Sequence, residues 1–266
     1  MRRLGQYFLK NKLVIGKIVS AIEPRRGEII VEIGGGRGEL TSPLSEKCKK
    51  IGCQTMVIEK DRRLAEKLKE GVGNILIDII EGDALKIIPA LAKSPELKAK
   101  SYKIVGNIPY YITGRLLRIL GEIKNKPDAC IFTVQKEVAE RVAAAPPRMN
   151  RLAASVQLWA KPRILFQIPR EDFLPTPGVD SAAIKLETKT GVSEERRKLI
   201  SSAIKIIFSQ PRKTIFNNIR GAIHPEDKEK LLESMLRLGI KPQDRPGNLS
   251  VEEVEKMSKL LRGPSA

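Results

Sequence analysis

The segment Asn107-Ile-Pro-Tyr110 combines groups that can hold a flat aromatic amine. The Asn107 side-chain carbonyl and the Pro109 backbone carbonyl are both hydrogen-bond acceptors, and the Pro109 ring restricts the backbone between them. The N6 amine of adenine presents two hydrogens to such a pair, while the Tyr110 ring offers a surface for stacking. Holding both hydrogens would make the nitrogen more pyramidal and free its lone pair. The segment therefore predicts nucleophilic attack by a nucleobase amine.

Such an attack needs an electrophile from a cofactor rather than a side-chain base. Transfer of a sulfonium methyl group fits, because the nitrogen's proton becomes acidic once the nitrogen is methylated. The single histidine, His224, lies beside Pro225 in a polar segment, where we expect a surface residue. An isolated Asn-x-Pro would more simply end a strand, so the hypothesis depends on the motifs that precede it.

A glycine loop follows the first predicted strand. The pattern Glu32-x-Gly34-x-Gly36-x-Gly38 lacks the sixth-position glycine of the dinucleotide fingerprint, and the chain has no nucleotide-hydrolysing P-loop. Glycines at alternate positions let the backbone approach a ligand closely. The loop therefore predicts binding of a cofactor without a pyrophosphate.

Two acids end the next two predicted strands. Glu59 is suited to accept hydrogen bonds from ribose hydroxyls, since the neighbouring Asp61 is expected to cap the following helix. Asp83 is suited to accept from the exocyclic amine of a base. Together with the glycine loop, the two acids indicate an adenosine-containing cofactor at the carboxyl ends of the strands.

The elements that position these residues alternate between strands and helices along the first two thirds of the chain. This pattern predicts a doubly wound, Rossmann-like α/β sheet of seven strands. The strands are expected at 28–33, 55–59, 75–81, 103–106, 129–134, around 155–159, and 182–186. Helices are expected over 61–70, 115–123, 136–144, 194–208, 225–238 and 251–261. We therefore predict a catalytic domain at 1–190 and a small all-α domain at 191–266.

The charge of the chain indicates a polyanionic partner. Its 49 Lys and Arg residues outnumber 31 Asp and Glu residues, which gives a formal net charge of +18. Two windows contain basic residues and no acid, with six basic residues between Glu140 and Glu171 and seven between Glu195 and Glu226. Both windows predict contact with nucleic-acid phosphates.

The cysteines and the hydropathy restrict the remaining function classes. Cys48, Cys53 and Cys130 form no C-x-x-C pair, so neither a disulfide framework nor a zinc site is expected, and a reducing cytoplasm is the simplest location. No apolar run reaches the length of a membrane span, and no signal peptide is recognisable.

These motifs resemble the small-subunit ribosomal RNA adenine dimethyltransferases of the KsgA type along nearly the whole chain. The glycine loop, Glu59, Asp83 and Asn107–Tyr110 are similar to the S-adenosylmethionine loop, acids and N-L/I-P-Y motif of that family. The further matches are "LGQYFL" (4–9), "VQKEVAERV" (134–142), "NRLAASVQ" (150–157), "FLPTPGVDSAAIKL" (173–186), "FSQPRKTIFNNI" (208–219) and "NLSVEEVEKMSKLL" (248–261).

The resemblance implies S-adenosylmethionine as cofactor and assigns site residues by position. The residues expected to bind the cofactor are Gln6, Tyr7, Leu9, Gly34, Gly36, Glu59, Asp83, Ala84 and Asn107. Tyr7 stands where the family usually has Asn or His. Asn107 and Pro109 would hold the target amine, Tyr110 would stack on the base, and Phe173 would close its other side.

The implied activity is dimethylation of N6 on two adjacent adenines in the 3′-terminal hairpin of small-subunit ribosomal RNA. The expected context is a monomer acting on an immature 30S particle in the cytoplasm. A large-subunit methyltransferase of the macrolide-resistance type is one alternative, and a non-catalytic assembly factor is another. A DNA adenine methyltransferase is a third, because it shares the cofactor chemistry.

Overall fold

The computed structural model describes residues 6–71, 77–223 and 228–261. His224 and the predicted starts of the strand at 75 and the helix at 225 lie outside these ranges. The described strands are β1 (Phe8–Leu9), β2 (Ile29–Ile33), β3 (Gln54–Glu59), β4 (Ile77–Glu81), β5 (Tyr102–Asn107), β6 (Ala129–Gln135), β7 (Ala160–Ile168), β8 (Phe173–Leu174) and β9 (Ser181–Thr188).

The described helices begin and end as follows: α1 (Lys12–Ile22), α2 (Thr41–Ile51), α3 (Arg62–Gly71), α4 (Ala84–Leu91), α5 (Pro95–Ala99), α6 (Thr113–Glu122), α7 (Lys136–Val142), α8 (Arg151–Gln157), α9 (Glu194–Ile207), α10 (Ile215–Ile219), α11 (Lys228–Arg237) and α12 (Val251–Leu260). Local capping explains several of these boundaries. Asn11 accepts from the Leu13 and Val14 amides at the start of α1, and Ser250 and Glu253 form a capping box on α12.

Seven strands form one sheet in the order β4-β3-β2-β5-β6-β9-β7. Strands β2 to β6 pair in parallel, and β9 joins β6 antiparallel. All five residues of β2 are buried, as expected for a parallel strand covered by helices on both faces. The strand order reverses between β2 and β5, and such a switch point opens a crevice at the carboxyl ends of the strands. The predicted Rossmann-like seven-stranded fold is confirmed.

The predicted strand around 155–159 is wrong, because residues 151–157 form α8. The Asn150 side chain accepts from the Ala153 amide and starts the helix, whose two buried alanines favour helical packing. The strand that completes the sheet is β7, which begins at Ala160. Its alternating charged residues and internal Pro162 make β7 hard to recognise as a strand from the sequence. Both features are tolerated because β7 lies at the edge of the sheet.

The chain divides into two compact units. One comprises residues 1–139 and 161–188, and the other comprises 140–160 and 189–266. The boundary predicted at 190 lies close to residue 188, after which the chain enters the helical unit for the second time. Residues 140–160 already belong to that helical unit. The reason is a shared core, in which Met149, Ala153 and Ala154 pack with α9 and α12 residues such as Ile204 and Val254.

Cys48 and Cys53 form a disulfide, which the sequence did not predict. Cys48 lies in the last turn of α2, and Gly52 at φ 83° turns the chain back toward β3. The Cys53 amide consequently donates to the Cys48 carbonyl over 3.0 Å, which brings the two Cα atoms to 4.6 Å. Cys130 is free and buried.

Within residues 6–71, 77–223 and 228–261, no helix is long and apolar enough to cross a membrane. The same ranges contain no cluster of three or more His, Cys, Asp or Glu side chains suited to a metal ion.

Gly106 allows β2 and β5 to approach closely beside the site. A Cβ at this position would lie 2.5 Å from the Ile33 carbonyl oxygen, so the two strands would have to separate. We expect Gly106→Ala to lower the free energy of unfolding by about 1–3 kcal/mol. Gly114→Ala is the matched control, because a Cβ there meets nothing within 4 Å and α6 gains a better helix former. Urea unfolding should show opposite signs for the two variants, and equal signs would contradict this account.

Candidate active site

One cavity lies at the carboxyl ends of β2, β3, β4 and β5. Of the predicted site residues, ten line it: Gln6, Tyr7, Gly34, Gly36, Glu59, Asp83, Ala84, Asn107, Pro109 and Tyr110. The sequence did not assign Phe8, Lys60 or Tyr111 to the site, although all three line the same wall. Tyr111 is 58% exposed. The sequence alone does not indicate that a bulky apolar residue beside a strand end borders a cavity.

The glycine loop presents its backbone to this cavity. Gly34 and Gly36 have φ values of 76° and 57°, which favour glycine. A Cβ at Gly36 would lie 3.2 Å from the Phe8 ring. The Gly34 amide donates to the Ile58 carbonyl over 2.8 Å and ties the loop to β3. This hydrogen bond anchors the loop, and the absence of side chains at the glycines leaves room for a ligand beside the backbone.

Glu59 is oriented by two backbone amides. The Gly36 amide donates to Oε2 over 2.9 Å, and the Asp61 amide donates to Oε1 over 2.8 Å. An ionised carboxylate has about four acceptor sites, so each oxygen keeps one for another donor. Although the residue is buried, it borders the cavity and is therefore suited to a ribose diol.

Asp83 is held by Lys60 and by its own helix. Lys60 Nζ lies 2.9 Å from Oδ2, and the Leu85 amide donates to Oδ1 over 3.0 Å at the start of α4. The hydrogen bond from Lys60 lowers the pKa of the Asp83 carboxyl, so it is ionised at neutral pH. An ionised carboxylate at this position can accept a hydrogen bond from the exocyclic amine of an adenine.

Asn107 has a fixed side-chain orientation. Its Nδ2 donates to the Tyr7 backbone carbonyl over 2.6 Å, which leaves Oδ1 as an acceptor on a residue that lines the cavity. The residue is the last of β5, beside Thr133 of β6. The amide is therefore turned so that it can accept a hydrogen bond from a target amine.

The Pro109 carbonyl already takes part in the turn that follows it. It accepts from the Ile112 amide over 3.0 Å and from the Thr113 hydroxyl over 3.4 Å. The preceding Ile108 carbonyl receives none of the turn and loop hydrogen bonds formed among the described residues. Both Ile108 and Pro109 line the cavity, so either carbonyl remains a candidate for the second acceptor, and the Ile108 carbonyl is the one without a partner in the turn.

Leu9 and Phe173 do not line the cavity. They are paired across the β1–β8 ladder and lie in the core, with exposed fractions of 5% and 0%. As placed, Phe173 cannot stack on a base without leaving the core. This differs from the expected contact, because β8 directs Phe173 inward and its neighbour Leu174 outward.

Glu32 lies behind the glycine loop and faces no solvent. Burial raises the pKa of its carboxyl to about 8, with the nearby charges of Glu59 and Glu39 adding to the shift and the Thr41 hydroxyl opposing it. Its Oε2 has no hydrogen-bond partner among the described residues. At neutral pH the carboxyl is therefore mostly protonated.

The residues of this cavity fit S-adenosylmethionine. A rigid glycine backbone, a carboxylate with free acceptor sites and a second ionised acceptor line one continuous wall, and no phosphate-binding cationic loop is present among its lining residues. This combination matches an adenosine joined to an amino acid better than a nucleotide phosphate.

Comparison with known proteins gives the family. The family model described as ribosomal RNA adenine dimethylase matches residues 1–262. The chain is 36% identical to ribosomal RNA small subunit methyltransferase A of Chromobacterium violaceum, covering all of this chain and 97% of that protein. It is 33% identical to the protein of the same name from Caldanaerobacter subterraneus, covering 98% of this chain and 96% of that protein.

Solved structures have the same fold. A dimethyladenosine transferase from Plasmodium falciparum superimposes with a TM-score of 0.78 at 25% identity, covering 94% of this chain and 95% of that one. The 23S rRNA methyltransferase ErmE gives a TM-score of 0.75 at 22% identity, covering 96% and 99%, which is a likeness of fold alone. The methyl donor of this family is S-adenosylmethionine. With a model match over nearly its whole length, the chain belongs to the ribosomal RNA adenine dimethylase family.

Proposed function

We propose that this chain methylates N6 of two adjacent adenosines in the 3′-terminal hairpin of small-subunit (16S) ribosomal RNA, as an rRNA (adenine-N6,N6)-dimethyltransferase. The observation that carries the proposal is Asn107, which lines the cavity and whose amide nitrogen donates to the Tyr7 carbonyl, so that its oxygen stays available as an acceptor. The names of the relatives over 30% identical support the small subunit as the source of the substrate.

The cofactor half of the cavity would be formed by the glycine loop and the two acids. Glu59 would accept from the ribose hydroxyls, while Asp83 would accept from the adenine amine and the Ala84 amide would contact the ring. Gly34 and Gly36 would lie along the amino-acid part, and Gln6 and Tyr7 would cover it. When bound, S-adenosylmethionine supplies an electrophilic methyl group.

The target half would be formed by the end of β5. Asn107 Oδ1 and a backbone carbonyl, that of Ile108 or Pro109, would accept both amine hydrogens and direct the nitrogen lone pair toward the cofactor. The Tyr110 ring, half-buried at the wall, would stack on the base. The adenine has to be unpaired or flipped out of a helix to reach this depth.

Exposed basic residues in both units support RNA as the partner. In the unit that contains the sheet, Lys161, Arg163 and Arg170 are exposed, and Arg170 pairs with Glu171. In the helical unit the exposed basic residues are Arg141, Arg148, Arg151, Arg196, Lys198, Lys205, Arg212, Lys213 and Arg220. These residues would contact phosphates within an immature 30S particle, where a monomer acts in the cytoplasm during small-subunit biogenesis.

The test is methylation of purified ribosomal particles. The protein is incubated with labelled S-adenosylmethionine and unmethylated small subunits, and the modified nucleosides are mapped by primer extension. We expect dimethyladenosine at two adjacent positions in the 3′-terminal hairpin. Label in the large subunit alone would favour the macrolide-resistance activity, and binding without label would favour a non-catalytic assembly factor.

A further inference from the structure

The ring of Tyr110 is held from two sides by residues outside the Asn107–Tyr110 segment. Its hydroxyl lies 2.9 Å from Ser181 Oγ, and its ring centroid lies 5.4 Å from that of Tyr7, with 31° between the planes. We propose that Ser181 and Tyr7 are positioning residues that fix the Tyr110 ring and thereby place the target base. This inference rests on the proposed function and specifies how its target half is built.

Ser181 is suited to act as the fixed point. It is the first residue of β9, has an exposed fraction of 0%, and lies opposite Gln135 in the ladder with β6. Tyr110, in contrast, begins a single turn of 3₁₀ helix and is only half-buried. A hydrogen bond at the far end of the ring fixes the position of the hydroxyl and so restricts rotation about the Cα–Cβ bond, whereas the hydroxyl lies on the axis of the second rotation and leaves the plane of the ring free. The buried strand residue therefore sets the direction of the half-buried ring, and the packing against Tyr7 sets its plane.

Tyr7 contacts both parts of the target clamp. Its backbone carbonyl accepts from Asn107 Nδ2 over 2.6 Å, and its ring lies within the 4.5–7 Å range of interacting aromatic pairs. One residue thus orients the amide through its backbone and the stacking ring through its side chain. Tyr7 also lines the cavity. Its predicted contact with the cofactor would then be made by the part of the residue that borders the cavity, and not by the part of the ring that packs against Tyr110.

The position of Phe173 follows from the same arrangement. The Lys10 amide donates to the Asp172 carbonyl over 2.8 Å, Asn11 Nδ2 donates to Asp172 Oδ1 over 2.9 Å, and Leu9 lies opposite Phe173. These contacts hold the segment that carries Tyr7. Phe173 therefore lies in the core against which Tyr7 packs, whereas Tyr7 is the aromatic residue that lies beside Tyr110.

A double-mutant cycle tests the Ser181 contact. Ser181→Ala and Tyr110→Phe remove the same hydrogen bond from its two ends, so each should lower kcat about 3–10-fold, and the double variant should be no slower than the slower single variant. The dissociation constant of S-adenosylmethionine should change less than about twofold in all three. Since Tyr110→Phe alters the half-buried partner, a folding defect of the buried serine variant does not decide the result.

Tyr7 is tested with two replacements. Tyr7→Leu removes the ring and should lower kcat about 3–10-fold, whereas Tyr7→Phe keeps the ring pair and should retain more activity. Tyr102→Phe is the control, because it removes a hydroxyl bond to the Asn125 carbonyl away from the cavity and should lower the melting temperature without changing kcat.

Two results would overturn the proposal. One is a double variant whose loss of kcat equals the product of the two single losses. The other is a Tyr7→Leu enzyme that binds the cofactor more weakly but has an unchanged kcat at saturation. All rates are measured on whichever ribosomal RNA the wild-type enzyme methylates. An error in the proposed substrate would therefore appear in the wild-type assay, and the double-mutant cycle could still be interpreted.

Discussion

Asn107→Ala should lower kcat for methyl transfer by a factor of about 10²–10³ or more, with binding of the ribosomal particle nearly unchanged. The replacement removes an acceptor whose direction is set by the 2.6 Å hydrogen bond from Nδ2 to the Tyr7 carbonyl. Without that oxygen, one amine hydrogen has no partner and the nitrogen stays planar. Under the proposed function, particle binding would depend on the basic surfaces, which the replacement does not touch.

The loss of the bond to Tyr7 has to be separated from the loss of the acceptor. Asn125→Ala is the matched control, because Asn125 Nδ2 also donates to a backbone carbonyl, that of Leu97 over 2.8 Å, away from the cavity. It should reduce thermal stability by a similar amount and leave kcat unchanged. A folded Asn107→Ala enzyme with kcat within tenfold of the wild type would contradict the role assigned to Asn107.

The sequence predicted which residues come together where chemistry and spacing coincide. Glu59 and Asn107 end parallel strands and Asp83 lies two residues after the end of a third. The carboxyl ends of parallel strands meet at one edge of the sheet, so the convergence of the three residues on one cavity followed from strand assignment. Asp61 capping α3 and the capping box at Ser250 were also predictable, since both act within four residues.

Contacts distant in the sequence could not be predicted. Lys60 pairs with Asp83 across two strands, and Tyr7 contacts Asn107 across 100 positions, so no local pattern indicates either. The family position of Phe173 predicts that it borders the cavity. Which of Phe173 and Leu174 points inward, however, depends on the two-residue strand β8, which no sequence pattern indicates. The helix at 151–157 was mistaken for a strand because its short apolar run is compatible with both periods.

Glu32 should make the protein less stable as the pH rises from about 5 to 8. An exposed glutamate has a pKa near 4.5, whereas burial raises the pKa of Glu32 in the folded protein to about 8. Between these values the folded protein keeps a proton that the unfolded chain releases. The free energy of unfolding therefore falls with pH, by up to about 1.4 kcal/mol per pH unit, and the whole penalty is present above pH 8.

Few other pKa shifts affect the free energy of unfolding between about pH 5 and 8. Hydrogen bonds from Lys60 and Lys185 lower the pKa of Asp83 and of Glu187. A backbone hydrogen bond, followed by the bond from Arg170, lowers the pKa of Glu171, so these acids titrate at lower pH. The raised pKa of Tyr110 acts at higher pH. His224 lies outside the described residues, and its contribution cancels when two variants are compared.

Glu32→Gln should remove the slope because an amide does not titrate. Urea unfolding at pH 5 should find the variant equal to or less stable than the wild type, and at pH 8.5 it should be more stable by several kcal/mol. Glu46→Gln changes the net charge equally on the exposed face of α2 and should keep the wild-type slope. Parallel wild-type and Glu32→Gln curves would show that the buried carboxyl does not carry the proton. Crossing curves would establish that the strand leading into the glycine loop carries a buried acid that is neutral in the folded protein.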